Sequence, residues 1–235
     1  DITQLRQLNS MRRDFISNLS HELRTPVSVI MANSETLLDG ALDNKKDAKV
    51  FAKAILHNSE RLSSMVSDLI DLSRIEYGDL KLNIKDIDFN EFMESFLLSM
   101  KSVAKKKAIE LIYNPDHNSL VNADIQALER IMNNLLDNAY KYSDEGTSVE
   151  VSTMDQGKMI KVMVADSGVG VSDEDQEHIF DRFYRTASAR ASDTKGSGLG
   201  LAIVKNLINS LNGEVGITTK RPSGSIFWFT IPKSK

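Results

Sequence analysis

The sequence predicts a protein in two parts, a pair of long α-helices followed by an α/β sandwich domain. Residues 1–78 carry apolar side chains at helical spacing over many turns, whereas residues 79–235 alternate short β-like runs with helical stretches. A chain of 235 residues that is 41% hydrophobic is long enough to bury a sizeable core. We therefore expect one domain from each part, with the boundary after Gly78.

The first part is predicted to be a helical hairpin. Its apolar periodicity predicts a helix over about 3–38 and a second over about 46–76, and the polar segment 39–46 (DGALDNKK) interrupts the pattern. Such a hairpin has apolar stripes on two adjoining faces and cannot cover both by itself. We expect it to form a four-helix bundle in a homodimer. Packing of the hairpin on the rest of the same chain is the alternative.

The second part contains β-like runs and amphipathic helical stretches in alternation, which is typical of an α/β sandwich. The runs span 110–114, 148–153, 159–165, 214–219 and 225–231, and the helical stretches span 89–106, 123–142 and 199–211.

Composition argues against several classes of protein. A net charge of −4, with acids and bases interspersed, provides no basic stripe for nucleic acid. The absence of cysteine excludes disulfide scaffolds, thiolate zinc sites and cysteine nucleophiles, and it suits the cytoplasm. No apolar run reaches the ~18 residues of a membrane span. Membrane attachment would therefore come only from segments upstream of this sequence.

His21 lies on a polar face of the first predicted helix, where a core histidine would have leucine neighbours. This favours a functional imidazole over an idle surface histidine. Glu22 can accept or orient the second ring proton of a nucleophilic imidazole. The zinc-protease motif His-Glu-x-x-His is excluded because position 25 is threonine. Pro26 leaves the Glu22 carbonyl without a donor, which predicts a bent or loosened helix beside the pair.

The segment NNLLDNAYKYS (133–143) points to a nucleotide site. It puts Asn134, Asn138, Lys141 and Tyr142 on one side of an amphipathic helix. Amide oxygens are hard ligands that suit Mg²⁺ beside phosphate oxygens, and a lysine one turn further can reach phosphate. Asparagine is otherwise unfavourable inside a helix, so a function is favoured over plain surface polarity.

Two glycine-rich segments extend the predicted site. In DSGVG (166–170), glycines let the backbone approach a ligand and Asp166 can accept a hydrogen bond from an exocyclic amine, although ordinary turns use the same residues. In GSGLGLAIV (196–204), glycines open a helix whose free N–H groups favour phosphate.

The polar stretch 186–195 precedes those glycines and predicts a mobile lid instead of the strand that a Rossmann fingerprint requires. Just before the lid, FDRFYR (180–185) supplies Arg182 and Arg185, which can reach phosphate oxygens.

In this order and spacing, the segments resemble the sequence boxes of sensor histidine kinases from bacterial two-component systems. FISNLSHELRTP looks like the H box, NNLLDNAYKYS the N box, DSGVG the G1 box, IFDRFYR the F box and GSGLGLAIV the G2 box. The resemblance covers nearly the whole chain. It implies a dimeric phosphotransfer hairpin, a four-helix bundle in the dimer, followed by an ATP-binding α/β sandwich of the GHKL type.

The resemblance also implies a role for each candidate residue. His21 would be the phosphoacceptor, Glu22 its base and Thr25 the threonine of a Glu-x-x-Thr phosphatase motif. Asn138 would hold Mg²⁺ with Asn134 in support. The residues implied to bind ATP are Asn134, Asn138, Lys141, Tyr142, Asp166, Gly168, Gly170, Arg182, Arg185, Lys195, Gly196, Gly198, Leu199 and Gly200.

The implied activity is ATP-dependent phosphorylation of His21 and transfer of the phosphoryl group to an aspartate of a response regulator that docks near His21. Thr25 would position the water that dephosphorylates the regulator. The chain would be the cytoplasmic portion of a membrane-anchored bacterial sensor.

Two other interpretations stay open at this point. One is an ATP-binding switch or scaffold of the same superfamily. His21 and Glu22 argue against it, as does Asn134, which occupies the position of the carboxylate that activates water in dimer-clamp ATPases. The other is a protein that acts mainly as a phosphatase on its regulator.

Overall fold

The computed structural model describes residues 2–76, 78–116, 120–191, 196–220 and 223–234. It divides into two compact units, Asp1–Asp71 and Leu72–Lys235. This division lies a few residues before the predicted domain boundary after Gly78, which stays a prediction.

The first unit consists of helices. Helix α1 spans Ile2–Leu38, a 3₁₀ turn spans Ala41–Asp43, and helix α2 spans Lys45–Glu76, so that its last residues belong to the second unit. The sequence predicted these helices over about 3–38 and 46–76. Helix α1 continues through Pro26, whose side chain is buried, and the predicted bend there stays a prediction.

Large apolar side chains remain exposed along both helices. On α1, Ile16 is 53% exposed and Met31 57%, and on α2 Leu56 is 59% and Ile70 47% exposed. Apolar residues spread along two helices in this way leave a long surface uncovered. In the described part of the chain, no helix combines the length and the apolar character needed to cross a bilayer.

The second unit is an α/β sandwich built on two sheets. Its strands are β1 Lys85–Asp88, β2 Glu110–Asn114, β3 Leu120–Ala123, β4 Ser148–Gln156, β5 Met159–Ala165, β6 Val215–Thr219 and β7 Ser225–Pro232. The main sheet has the order β2-β4-β5-β7-β6, in which β2 and β4 are parallel and the other neighbours antiparallel. Strands β1 and β3 form a separate antiparallel pair.

Helices cover one face of the main sheet. They are α3 Phe89–Lys106, α4 Ile125–Tyr142 and α7 Gly200–Ser210, with the short helices α5 Asp173–Gln176 and α6 Ala187–Ala191 in the connections. Helix α4 contacts β4, β5 and α7, and α7 also contacts β6 and β7. Alternate residues of the strands, such as Val149, Val151 and Val162, are fully buried. This packing fixes α4 and α7 side by side.

The structure corrects the sequence prediction at the start of α4. The helix predicted over 123–142 begins at Ile125, because the side chain of Asp124 accepts a hydrogen bond from the Ala127 N–H at 2.9 Å and Ala123 ends β3. The stretch 186–195 contains helix α6, and Thr186, the residue before it, accepts a hydrogen bond through Oγ1 from the Ala189 N–H at 3.1 Å. Residues 192–195 lie outside the described part, so the lid stays a prediction. The four-residue strands β1 and β3 were not predicted.

Candidate active site

His21 lies near the middle of α1 with its side chain exposed to solvent. Glu22 turns towards α2, where its Oε2 accepts a hydrogen bond from the Arg61 guanidinium at 3.2 Å. The Thr25 hydroxyl donates to the His21 backbone carbonyl at 3.3 Å. The imidazole is therefore accessible, whereas the neighbouring carboxylate and hydroxyl both have partners within the hairpin. Arg61 could not be identified from the sequence, because the contact depends on how two distant helices face each other.

Helix α4 divides into a buried face and a partly exposed face, as the sequence predicts. Leu135 and Leu136 are fully buried, and Ala139 is 1% exposed. The four predicted site residues on the other face, Asn134, Asn138, Lys141 and Tyr142, are each half-buried. This burial pattern fits a helix that packs on the sheet by one side and presents polar groups on the other.

Asn134 contacts the first turn of α7. Its Nδ2 donates to the Arg130 carbonyl at 2.9 Å, and a Cβ at Gly200 would lie only 2.6 Å from its Oδ1. A side chain at position 200 would therefore collide with Asn134, so glycine permits the close approach of α4 and α7 at this point. Asn138 lies one turn further along α4 on the same half-buried face.

Asp166 directly follows the last residue of β5 and is 4% exposed. Its Oδ1 accepts hydrogen bonds from the Gly168 N–H at 2.9 Å and the Ser225 N–H at 3.1 Å. Burial raises the pKa of the Asp166 carboxyl, while the two N–H groups and the charge of Lys220 oppose the rise. Two backbone N–H groups thus fix one oxygen of the carboxylate in a place that is nearly closed to water.

Gly168 joins the Asp166 loop to the end of α4. It forms a bridge with Ser143, and a Cβ at this position would lie 2.3 Å from the Tyr142 carbonyl oxygen. Glycine is therefore required for the close approach, and the contact brings Asp166 and Tyr142 into one region of the unit.

The glycine-rich loop is tied to the preceding arginine-containing turn. The Phe183 N–H donates to the Gly198 carbonyl at 2.9 Å, and Phe183 has a φ of 60°. The Arg185 guanidinium donates to the Ala189 carbonyl of α6. The remaining predicted residues of this region differ in burial. Arg182 is exposed, Gly170 and Gly196 are half-buried, and Leu199 is fully buried. Lys195 lies outside the described residues.

Two residues beside Asp166 were missed by sequence reasoning. Ser225, the first residue of β7, supplies one of the two N–H donors, and Lys220 donates from Nζ to the Ser167 hydroxyl at 3.2 Å. Both belong to the β6–β7 hairpin, about sixty positions away in the chain, and only the pairing of β5 with β7 brings them to Asp166.

Comparison with known proteins decides the family. Residues 11–78 match the model of the His Kinase A (phospho-acceptor) domain, and residues 123–235 match that of the histidine kinase-, DNA gyrase B- and HSP90-like ATPase. The chain belongs to the sensor histidine kinases. This confirms the resemblance drawn from the five sequence boxes and the predicted fold class of a histidine kinase hairpin followed by an α/β ATPase domain.

Individual sensor histidine kinases support the assignment. The sensor-like histidine kinase SenX3 of Mycobacterium tuberculosis is 36% identical over 232 residues, which are 99% of this chain and 56% of SenX3. The chain thus spans about half the length of this curated relative. A structure of the Acinetobacter baumannii histidine kinase AdeS has a TM-score of 0.75 at 27% identity, and the match covers 92% of this chain and 98% of the chain in that structure.

A third likeness concerns the fold alone. A structure of the histidine kinase ThkA in complex with the response regulator protein TrrA has a TM-score of 0.78 at 23% identity and covers 97% of this chain and 64% of that one.

Proposed function

We propose that this chain is an ATP-dependent protein-histidine autokinase that phosphorylates its own His21 and passes the phosphoryl group to an aspartate of a response regulator. The observation that carries the proposal is an exposed histidine next to a carboxylate, on a helical hairpin joined to a histidine kinase ATPase domain. An exposed histidine is accessible both to a nucleotide and to a protein partner.

The chemistry follows from the ordinary properties of imidazole. Nε2 of a neutral His21 attacks the γ-phosphorus in line, and the bond between that phosphorus and the β–γ bridging oxygen breaks to release ADP. The Nδ1 proton passes to the Glu22 carboxylate, so that the product is a neutral phosphorylated imidazole. A correctly oriented base of this kind contributes about 10²- to 10⁴-fold to the rate.

The nucleotide would be bound by the second unit. Asp166 would accept a hydrogen bond from the adenine amino group, since one of its oxygens is already fixed by backbone N–H groups. The N-terminus of α7 and the glycines before it would bind phosphate. The cationic and hydroxyl groups proposed to contact phosphate oxygens are Lys141, Tyr142, Arg182, Arg185 and Lys195.

Mg²⁺ is proposed as the metal cofactor, with Asn138 as its protein ligand. Among the described residues there is no group of three or more acidic or histidine side chains that could hold a metal ion. One amide oxygen as the protein donor fits Mg²⁺, which commonly keeps bound waters and uses phosphate oxygens with only one or two protein groups. When bound, the ion would offset charge on the phosphate oxygens.

The hairpin is proposed to form a homodimer. The exposed apolar side chains of α1 and α2, including Ile16, Met31 and Leu56, would be buried against a second copy in a four-helix bundle. A response regulator would then dock on the hairpin near His21, where the exposed imidazole can meet its aspartate.

The test is a labelling experiment. We expect the purified chain, incubated with Mg²⁺ and γ-labelled ATP, to acquire label that survives alkali and is lost in acid, as a phosphohistidine is. Proteolysis after Arg13 and Arg24 should put the label on the 14–24 peptide, in which His21 is the histidine. Binding of ATP without such label would contradict the autokinase and favour a nucleotide-dependent switch or scaffold.

We also propose a phosphatase activity toward the phosphorylated regulator, with Thr25 orienting the attacking water. Replacing Thr25 by alanine is expected to slow dephosphorylation of the regulator and leave labelling of His21 nearly unchanged. Among the described residues, the Thr25 hydroxyl bonds the His21 carbonyl of its own helix, so its loss removes one helix-surface contact and no tertiary contact within that part of the chain. The measurement is the decay of a separately phosphorylated regulator, with Thr36→Ala, a similar back-bonded threonine on α1, as the control.

A further inference from the structure

Arg61 is the residue that contacts the proposed base. Its side chain is 18% exposed, that of Glu22 is 30% exposed, and NH2 of the guanidinium lies 3.2 Å from Glu22 Oε2. Arg61 Nε is buried and has no hydrogen-bond partner among the described residues. A positive charge largely removed from water, with one of its donors unused, is an arrangement that needs a reason.

The direction of the Glu22 side chain gives a reason for keeping the Arg61 charge in this place. Successive residues of an α-helix point about 100° apart and do not face each other. His21 is exposed, whereas Glu22 reaches across to α2. A carboxylate bound to α2 is thus directed away from the imidazole that it would have to deprotonate.

We propose that Arg61 is a positioning residue that holds Glu22 against α2 and competes with His21 for its carboxylate. The inference deepens the proposed function and rests on it, because it concerns the same base. In this state the base is withheld, and phosphorylation of His21 requires the carboxylate to turn from Arg61 to the imidazole. The contact is a single hydrogen bond of 3.2 Å and not a bidentate pair, so it can act as a reversible restraint.

Arg61→Gln is expected to raise the initial rate of His21 labelling severalfold and leave the KM for ATP unchanged, because Glu22 is released while the nucleotide site is untouched. In a Glu22→Gln background, which removes the base, the same substitution is expected to change nothing. Arg61→Lys should retain most of the restraint. Arg74→Gln, in the last turn of α2, is the matched control.

A second measurement needs no nucleotide. Diethyl pyrocarbonate modifies neutral imidazoles, and its reaction with His21 can be followed on the 14–24 peptide, with His178 as the internal reference. A free carboxylate beside His21 assists the reaction by accepting the ring proton. We expect faster modification of His21 in Arg61→Gln than in the wild type, and no such increase in the double variant.

The two measurements distinguish failure of the inference from failure of the proposed function. The proposed restraint is contradicted if Arg61→Gln, with unchanged helical content, leaves the rates of His21 labelling and His21 modification the same or lowers them. It is also contradicted if the effect of Arg61→Gln persists in the Glu22→Gln background. If the modification rates behave as expected while the wild type takes up no label from ATP, Arg61 does restrain Glu22 and the autokinase proposal is the one that fails.

Discussion

Replacing His21 by glutamine is expected to abolish the acid-labile label from ATP. Glutamine approximates the size and polarity of histidine but has no nucleophilic ring nitrogen, so no phosphorus–nitrogen bond can form. Because the His21 side chain is exposed on α1, its replacement should change stability by no more than about 0.5 kcal/mol. The measurement is label per chain at a series of times, together with the affinity for ADP.

The control for this experiment is His57→Gln, which alters an exposed histidine of α2. It should label as the wild type does. Residual acid-labile label in His21→Gln, at a rate comparable with that of the wild type, would identify another phosphoacceptor. Loss of ADP affinity in the same variant would show that His21 has a role in the nucleotide site that the proposed mechanism does not include.

Asp166→Asn is expected to weaken binding of ADP by about 10- to 150-fold. A hydrogen bond to a charged group contributes about 1.5–3 kcal/mol, and about 1.4 kcal/mol corresponds to a factor of ten. An asparagine can still accept the Gly168 and Ser225 N–H groups through Oδ1, but its NH₂ would face the adenine amino group, donor against donor. The measurement is calorimetric titration with ADP, with thermal unfolding to establish that the variant is folded.

Selectivity and pH provide two checks on that prediction. Discrimination between ADP and GDP should fall in Asp166→Asn, since the carboxylate is the group that favours an amino group over an oxo group. In the wild type, affinity should decrease as pH falls through the raised pKa of Asp166, because the protonated acid is a weaker acceptor. This decrease should begin at a higher pH than for an ordinary aspartate, and it should be absent from Asp166→Asn.

The matched control is Asp155→Asn. Asp155 lies near the end of β4, at the turn that joins β4 to β5, and pairs with Lys233 on the surface. It should leave ADP affinity unchanged. Equal losses in the two aspartate variants would indicate a general charge effect and remove Asp166 from its proposed role.

Much of the architecture follows from local pattern. The long helices, the buried face of α4 and the strands β2 and β5 agree with the periodicity of apolar residues. Burial on one face places an apolar residue at every third or fourth position of a helix and at every second position of a strand. The small pair of β1 and β3 had no such signal, since four residues are too few to show a period. The start of α4 was misjudged by two residues because a capping aspartate, not hydrophobicity, sets it.

The candidate site divides in the same way. The sequence by itself determined the identity of the chemical groups: a histidine next to a carboxylate, asparagines at helical spacing, and an aspartate among glycines, each set by neighbours within a few positions. Only the tertiary structure decided which partners those groups have. It brought Ser225 and Lys220 to Asp166, Gly200 to Asn134, and Arg61 to Glu22. Contacts between residues so far apart in the chain depend on strand order and on the facing of helices, which arise from packing of the whole unit and leave no local mark in the sequence.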